Sequence, residues 1–385
     1  MKVIQAHCFY SKRGGEDVVV EREASLLQQS GVSLLPWYLN NPAHPTTRQK
    51  LRLVLGTIWQ SDVRQQLAAF PVSAGDILHV HNFFPLLSPS IFYYAKRQGL
   101  KTVFTLHNFR CLTPSAMLTE GLVEYSARHT LQQCWQGAYQ GSKLASLAIG
   151  GMIEMHRWCK TWLKQVDAFI CPSEFVRQQY IEAGFAADKL RVIPHFCPDP
   201  VLDNQPTDQV ERTFALFVGR NTPEKGLNML LEAWQQVNFP LVIAGADKPL
   251  IGDVPQNVRF VGKVDASALS KLYAEAKLLI VPSQVAETFG NVVMEAFSHA
   301  TPVLVSAKGA LKELVQSGVN GEWIALESVS ALANQIKQLL LEPERLRHLG
   351  HRGRIHYEQH YTPGAHAEQL IGLYKELHQG QGSTD

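Results

Sequence analysis

Two glutamates eight positions apart, Glu287 and Glu295, bracket a stretch that could hold a phosphorylated ligand. From Val281 to Ser306 the chain reads Val-Pro-Ser-Gln-Val-Ala-Glu-Thr-Phe-Gly-Asn-Val-Val-Met-Glu-Ala-Phe-Ser-His-Ala-Thr-Pro-Val-Leu-Val-Ser. The apolar run Leu278 to Val281, stopped by Pro282, predicts a strand. Apolar Val292, Val293, Met294 and Phe297 predict a helix over 291–299, and Pro302 to Val305 a second buried strand. A helix start offers backbone N–H groups with no intrahelical partner and a positive dipole end, which suits phosphate. Glu287 falls in the loop before the helix. Glu295 falls one turn inside it, about 6 Å further along the axis. A carboxylate accepts two hydrogen bonds side by side, so each glutamate suits a vicinal diol. Phosphate in the middle with a diol on each side describes a nucleotide sugar.

A second group follows an earlier strand: Phe217-Val218-Gly219-Arg220-Asn221-Thr222-Pro223-Glu224-Lys225-Gly226. Arg220 and Lys225 stand in the loop where that strand ends. A diphosphate leaving group gains negative charge as its bond breaks, and fixed cations stabilise that charge. Taken alone, such a loop could equally be a solvated turn with a Lys–Glu pair. Near the N-terminus, Gly14-Gly15-Glu16-Asp17 lies between the first strand and the first helix. Paired glycines let a ligand approach the backbone, and Asp17 is placed to cap the helix. His107, in Thr-Leu-His-Asn, ends another strand, where it could hydrogen-bond a sugar or a phosphate, although single histidines are often structural. His79 and His81 alternate onto one face of a strand and read as cleft lining or packing; two histidines without a third ligand make a poor metal site.

These strings resemble retaining glycosyltransferases of family 4, which have the GT-B fold. The resemblance rests on the glutamate-x7-glutamate segment, the Gly-Arg…Glu-Lys-Gly loop and the Gly-Gly loop, and it is strongest from Gly219 to Gly321. It implies Glu287 near the donor sugar, Glu295 on the nucleotide ribose, and donor phosphate on the amides around Phe289, Gly290, Asn291 and Val292. It implies catalytic roles for His107, Arg220 and Lys225, and an N-terminal loop that closes over the diphosphate, from which Gly15 is carried over. Three positions depart from the family pattern. His195 stands where relatives commonly have asparagine, Ala246 and Lys248 where Gly-x-Gly-Pro is usual, and Ala300 in place of a glycine. The second departure lies near the expected donor pocket. No Asp-x-Asp occurs, so neutralisation by Arg220 and Lys225 is the expected alternative to a metal, and no cofactor is expected beyond the nucleotide-sugar co-substrate. No Gly-x-Gly-x-x-Gly occurs either, which disfavours a dinucleotide dehydrogenase.

The elements that must position these residues alternate strand and helix through most of the chain, which predicts an α/β fold with parallel sheets. Strands are expected at 3–6, 33–38, 77–81, 102–106, 168–171 and 191–193 in the first half. In the second half they are expected at 214–218, 241–244, 258–261, 278–281, 302–305 and 322–324. First-half helices are expected over 17–29, 47–69, 90–98, 144–164 and 174–183. With 385 residues, two domains are the default. The expected division is an acceptor-side Rossmann-like domain over 1–197, a Pro-rich polar linker over 198–212, a donor domain over 213–360, and a helix over 361–380 that crosses back. The two domains are expected to face each other across a cleft, with ligands at the carboxyl ends of the strands.

Composition narrows the rest. A net charge of +2 argues against nucleic acid as a partner. Six scattered cysteines without a Cys-x-x-Cys pair suggest reduced thiols in a cytosol. With a strand expected at the very N-terminus, no signal peptide is expected, and no apolar stretch is long enough to span a bilayer. The segment 47–60 carries Arg48, Lys50 and Arg52. The segment 141–165 carries Lys143, Arg157, Lys160 and Lys164 with Trp158 and Trp162. Either could lie on an anionic membrane, or be an ordinary packed helix with its lysines in solvent. The expectation is a cytoplasmic enzyme, peripheral to a membrane if either segment docks there. It would move a sugar from a nucleotide donor, UDP or GDP, to a glycan or lipid-linked acceptor in cell-surface polysaccharide synthesis. An epimerase or phosphorylase of the same fold, or a non-catalytic sugar-nucleotide binder, is the alternative.

Overall fold

The computed structural model describes residues 1–10, 14–42, 46–118, 125–200, 211–247, 249, 254–324 and 328–380. The side chains of Arg48, Lys50 and Arg52, residue Lys248 and most of the 198–212 linker lie outside the described residues. The chain divides into two units, Met1–Ile193 with His366–Asp385, and Pro194–Ala365.

The first unit is built on six parallel strands: β1 (Lys2–Phe9), β2 (Ser33–Asn40), β3 (Ile77–Asn82), β4 (Lys101–Thr105), β5 (Ala168–Cys171) and β6 (Leu190–Val192). Their order across the sheet is β2-β1-β3-β4-β5-β6. Such strands are covered by helices on both faces, so they are nearly continuously apolar. The C-terminal helix Pro363–Gln379 packs on one face. Its Leu370, Leu373 and Tyr374 join Val3, Leu27, Ile77, Val103, Ile170 and Ile193 in one core.

The second unit repeats the plan with β7 (Phe214–Val218), β8 (Leu241–Ala244), β9 (Val258–Gly262), β10 (Ala276–Val281), β11 (Val303–Val305) and β12 (Glu322–Trp323), ordered β12-β11-β10-β7-β8-β9. Period-2 alternation splits its core. Phe214, Leu216, Leu279 and Val281 face the helix Asn291–Ser298 through Val293, Met294 and Phe297. Ala215, Phe217, Leu278 and Ile280 face Leu227, Leu230 and Trp234 on the other side. Strand order reverses between β7 and β10, and the loops leaving these neighbours open the crevice where doubly wound sheets bind ligands. Those two loops carry Arg220 with Lys225, and Glu287.

Every expected strand is present. Two expected helices are each two. The segment expected as 47–69 breaks into Thr47–Ile58 and Val63–Ala68, because Trp59 is extended and the Gln60 amide hydrogen-bonds Ser88 Oγ at 2.9 Å. The segment expected as 144–164 breaks into Lys143–Trp158 and Thr161–Gln165 at Lys160, whose φ is 52°. There the Thr161 hydroxyl meets His156 Nδ1 at 2.8 Å. No described helix is long and apolar enough to cross a membrane.

Candidate functional site

In the second unit the loop after β7 and the loop after β10 are tied together. Lys225 Nζ lies 2.6 Å from Glu287 Oε1, and Ser283 Oγ donates to the same oxygen. The Gln284 amide donates to the Glu224 carbonyl at 2.8 Å. Both side chains of the Lys225–Glu287 pair are partly exposed, 28% and 18%. An ammonium has three donors, so Lys225 keeps two beyond the one turned to Glu287. Arg220 reaches outward with its side chain 61% exposed, and its guanidinium passes 3.9 Å from Glu224.

Two glycines set the backbone. Gly226 has φ 71°, and a Cβ there would lie 1.9 Å from the Pro282 carbonyl oxygen, so the two loops touch only because position 226 is bare. Gly290 has φ 115° and precedes the helix Asn291–Ser298 without a side-chain cap. The Asn291 and Val292 amides therefore belong to the unsatisfied first turn of that helix. Asn291 Oδ1 is buried without a hydrogen-bond partner. The Phe289 side chain is buried against His195 and Tyr361, at ring distances of 5.1 and 5.8 Å, so only its backbone is offered to a ligand.

Glu295 sits in the same helix, where the Tyr273 hydroxyl donates to its Oε2 at 2.9 Å. The backbone of Glu287 is held too: its carbonyl accepts from the Ala310 amide at 2.9 Å and pairs with Gly309. Sequence reasoning missed Ser283, Tyr273 and Gly309. The only signal available was their position at or near strand ends. His195, the departure from asparagine, packs in the core beside Phe289.

Gly15 and His107 belong to the first unit. The helix Gly15–Gln29 is capped by Gly14, not by Asp17 as expected. Asp17 is fully buried and accepts from the Gly14 amide at 2.8 Å, and its Oδ1 lies 2.9 Å from His7 Nε2. An aspartate three residues into a helix reaches back to the N-cap amide, which gives it a bracing role instead of a capping one. Beside it, Glu16 Oε2 accepts from Tyr10 O–H at 3.1 Å and Asn108 Nδ2 at 3.3 Å. Burial pushes the Glu16 carboxyl up to about 8. Arg110 lies between the rings of Phe84 and Tyr139, 4.9 and 5.0 Å from their centroids. His107 Nε2 lies 3.0 Å from His81 Nδ1. His79 and His81 are buried and do not line an open surface, which corrects the cleft half of their reading. They pack with ring centroids 4.1 Å apart against Glu23.

A model of the group 1 glycosyl transferases matches residues 201–356, and a model of glycosyltransferase family 4 matches residues 11–198. The chain belongs to the group 1, family 4 glycosyltransferases. It is 31% identical over 179 residues to an uncharacterized glycosyltransferase of Methanocaldococcus jannaschii, covering 43% of this chain and 46% of that protein. It is 30% identical over 227 residues to the lipopolysaccharide 1,2-N-acetylglucosaminetransferase of Salmonella typhimurium, covering 50% of this chain and 58% of that protein. The aligned part thus spans about half the length of these curated relatives. Among solved structures, a sucrose-phosphate synthase from Thermosynechococcus elongatus superposes with a TM-score of 0.70 at 21% identity, over 99% of this chain and 100% of that one. Anabaena HepE, solved in complex with UDP, superposes with a TM-score of 0.65 at 17% identity, over 98% and 100%. The fold is of the GT-B class.

Proposed function

We propose that this protein transfers a sugar from a nucleoside diphosphate to a hydroxyl of a glycan or lipid-linked acceptor, with retention of anomeric configuration and without a metal. The observation that carries the reading is the Lys225–Glu287 pair, set at the strand-order reversal beside the uncapped start of the helix Asn291–Ser298. A diphosphate on those amides would meet the remaining donors of Lys225 and the guanidinium of Arg220. As the bond from the anomeric carbon to the phosphate oxygen breaks, these groups hold the developing charge in place of a metal ion. The acceptor oxygen bonds to the anomeric carbon on the face the phosphate leaves, and its proton goes to the leaving phosphate. Glu287 orients the sugar hydroxyls, Glu295 takes the ribose, and His107 hydrogen-bonds a substrate hydroxyl. Uridine is the first base to test, because HepE was solved with UDP.

The test is nucleotide release from UDP-sugars in EDTA, with and without lipid-linked or glycan acceptors. Release that requires an acceptor, with a product of the donor's own anomeric configuration, supports the reading. Acceptor-independent turnover would point to an epimerase or a phosphorylase, and an inverted product would refute retention.

A lipid-linked acceptor has a specific support. The Lys143–Trp158 helix and its neighbour expose Trp135 at 73% and Trp158 at 85%, with Leu131, Leu144 and Leu147 also in solvent. Lys143, Lys160 and Lys164 stand among them, and Lys143 Nζ lies 4.7 Å from the Trp135 ring. Trp162, expected on this face, is buried in the core instead. Apolar rings mixed with lysines suit an anionic lipid surface on the cytoplasmic side. Co-sedimentation with vesicles containing anionic lipid at low salt should retain the protein, and Trp158→Ala with Lys160→Ala should release most of it. Equal recovery with purely zwitterionic vesicles would remove this support.

A further inference from the structure

The helix Ala266–Glu275 leads into β10 and carries Leu269, Leu272 and Tyr273 at helical spacing on one face. That face packs into the core that holds Val293, Met294 and Phe297 of the helix Asn291–Ser298. Tyr273 is 1% exposed. Its ring lies in this core, while its hydroxyl donates to Oε2 of Glu295 at 2.9 Å. A tyrosine suits such a place, because it joins an apolar body to one polar tip. Glu295 is partly exposed, so its carboxylate can meet a ligand while the core holds it from behind.

Both partners are fixed at the backbone as well. Thr301 Oγ1 donates to the Tyr273 carbonyl at 2.6 Å, and Arg212 Nη1 donates to Thr301 Oγ1 at 3.1 Å. Ser298 Oγ and His299 Nδ1 each donate to the Glu295 carbonyl at 2.8 Å. His299 Nε2 meets Ser270 Oγ at 2.7 Å, and its ring stacks on that of Tyr273 with centroids 5.5 Å apart. Ser270 and Tyr273 share a helix, so His299 links the helix of Tyr273 to the helix of Glu295. A glutamate without such support samples many rotamers, and a ligand that needs one of them must supply the lost entropy. Here the protein supplies it in advance. A carboxylate has about four lone-pair sites, and the bond from Tyr273 takes one of them, so capacity for a diol remains.

We propose that Tyr273 is a positioning residue for the donor: its hydroxyl holds Glu295 in the rotamer that meets the ribose diol, so preference for a ribonucleotide over a deoxyribonucleotide depends on a side chain that touches no substrate. This rests on the reading of Glu295 as the ribose-binding group. A buried phenol needs a hydrogen-bond partner in any case, so a role confined to packing predicts the same contact. The two roles differ in what they govern. Packing supports the whole donor site, whereas positioning acts only through the ribose hydroxyls that Glu295 accepts from.

The experiment is calorimetric titration of the full chain with UDP and GDP, each beside its 2′-deoxy form, on wild type, Tyr273→Phe, Glu295→Ala and the double variant. Tyr273→Phe keeps the ring in the core and removes only the hydroxyl. Wild type should prefer the ribonucleotide by about 10-fold or more, since the deoxy form leaves part of the carboxylate unmatched. Tyr273→Phe should weaken the ribonucleotide by about 5- to 10-fold and the deoxy form by less than about twofold. In the Glu295→Ala background the same substitution should cause no further loss, because its effect passes through Glu295. Equal weakening of both nucleotides in Tyr273→Phe, or a further loss in the double variant, would assign Tyr273 to packing and overturn the proposal. So would unchanged ribonucleotide binding in Tyr273→Phe. If wild type binds a nucleotide without preferring the ribose, the role given to Glu295 fails and the proposal fails with it. If wild type binds neither nucleotide, the donor reading itself is overturned. The ratio of the two affinities is an internal reference, so a small change in the stability of the variant does not blur the result.

Discussion

Lys225 and Glu287 pair at 2.6 Å where the loops after β7 and β10 meet. A partly exposed pair of this kind contributes about 1 kcal/mol or less to stability. Its value is positional, and Lys225→Ala should leave the thermal midpoint within a few degrees of wild type. Glu16 offers a sharper residue-scale prediction. Burial raises its carboxyl from an ordinary 4.5 to about 8, against the hydrogen bonds of Tyr10 and Asn108 that lower it. The folded chain then holds a proton that the unfolded chain releases between those two values. Folding stability contributed by Glu16 is therefore present at low pH and lost as pH rises, levelling off above about 8. Glu16→Gln is neutral throughout and removes that loss. Urea midpoints should show the variant gaining on wild type at pH 8 but not at pH 5, and an equal pH dependence in both proteins would contradict the assignment. The pairing of Lys225 with Glu287 was not legible in the sequence, which named both residues for separate roles. They lie 62 positions apart, and only the adjacency of β7 and β10 brings them together.

At the scale of elements, the site depends on loops that leave adjacent strands and touch. Gly226→Ala would force a Cβ against the Pro282 carbonyl at a positive φ, so one loop must move. The expected cost is about 2–4 kcal/mol in chemical unfolding, with loss of nucleotide binding. Gly364→Ala meets nothing within 4 Å at the start of the C-terminal helix and should be neutral or slightly stabilising. Equal effects at the two positions would contradict the close approach. The strands were legible because buried parallel strands are short apolar runs with sharp ends, and β7, β8 and β10 match such runs closely. The breaks at Trp59–Gln60 and Lys160 were not legible. Each is made by a side chain distant in sequence, Ser88 in one case and Tyr93 in the other, whose hydroxyl meets Thr161 Oγ1 at 2.8 Å. The bracing of Glu23 by histidines from β3 and the C-terminal helix escaped the sequence for the same reason.

For the whole molecule, the C-terminal helix belongs physically to the first unit although the chain reaches it from the second. It inserts Leu370, Leu373 and Tyr374, each 5% exposed or less, into the first core, and it carries His366 to Glu23. Exposing three such side chains costs roughly 5–8 kcal/mol, comparable with the entire stability of a typical domain. A chain ending at Thr362 should therefore lose cooperative unfolding of its first unit and aggregate, and a well-folded truncated protein would contradict this packing. The central claim, that the paired loops of the second unit bind a nucleotide diphosphate through cations, is tested most directly by calorimetric titration of UDP and GDP without metal, on wild type and Lys225→Ala. The account predicts micromolar binding of one nucleotide to wild type, weakened by about 10- to 100-fold in the variant, as expected for the loss of one charge-assisted contact. Equal binding in the two proteins, or no binding of either nucleotide to wild type, would contradict it.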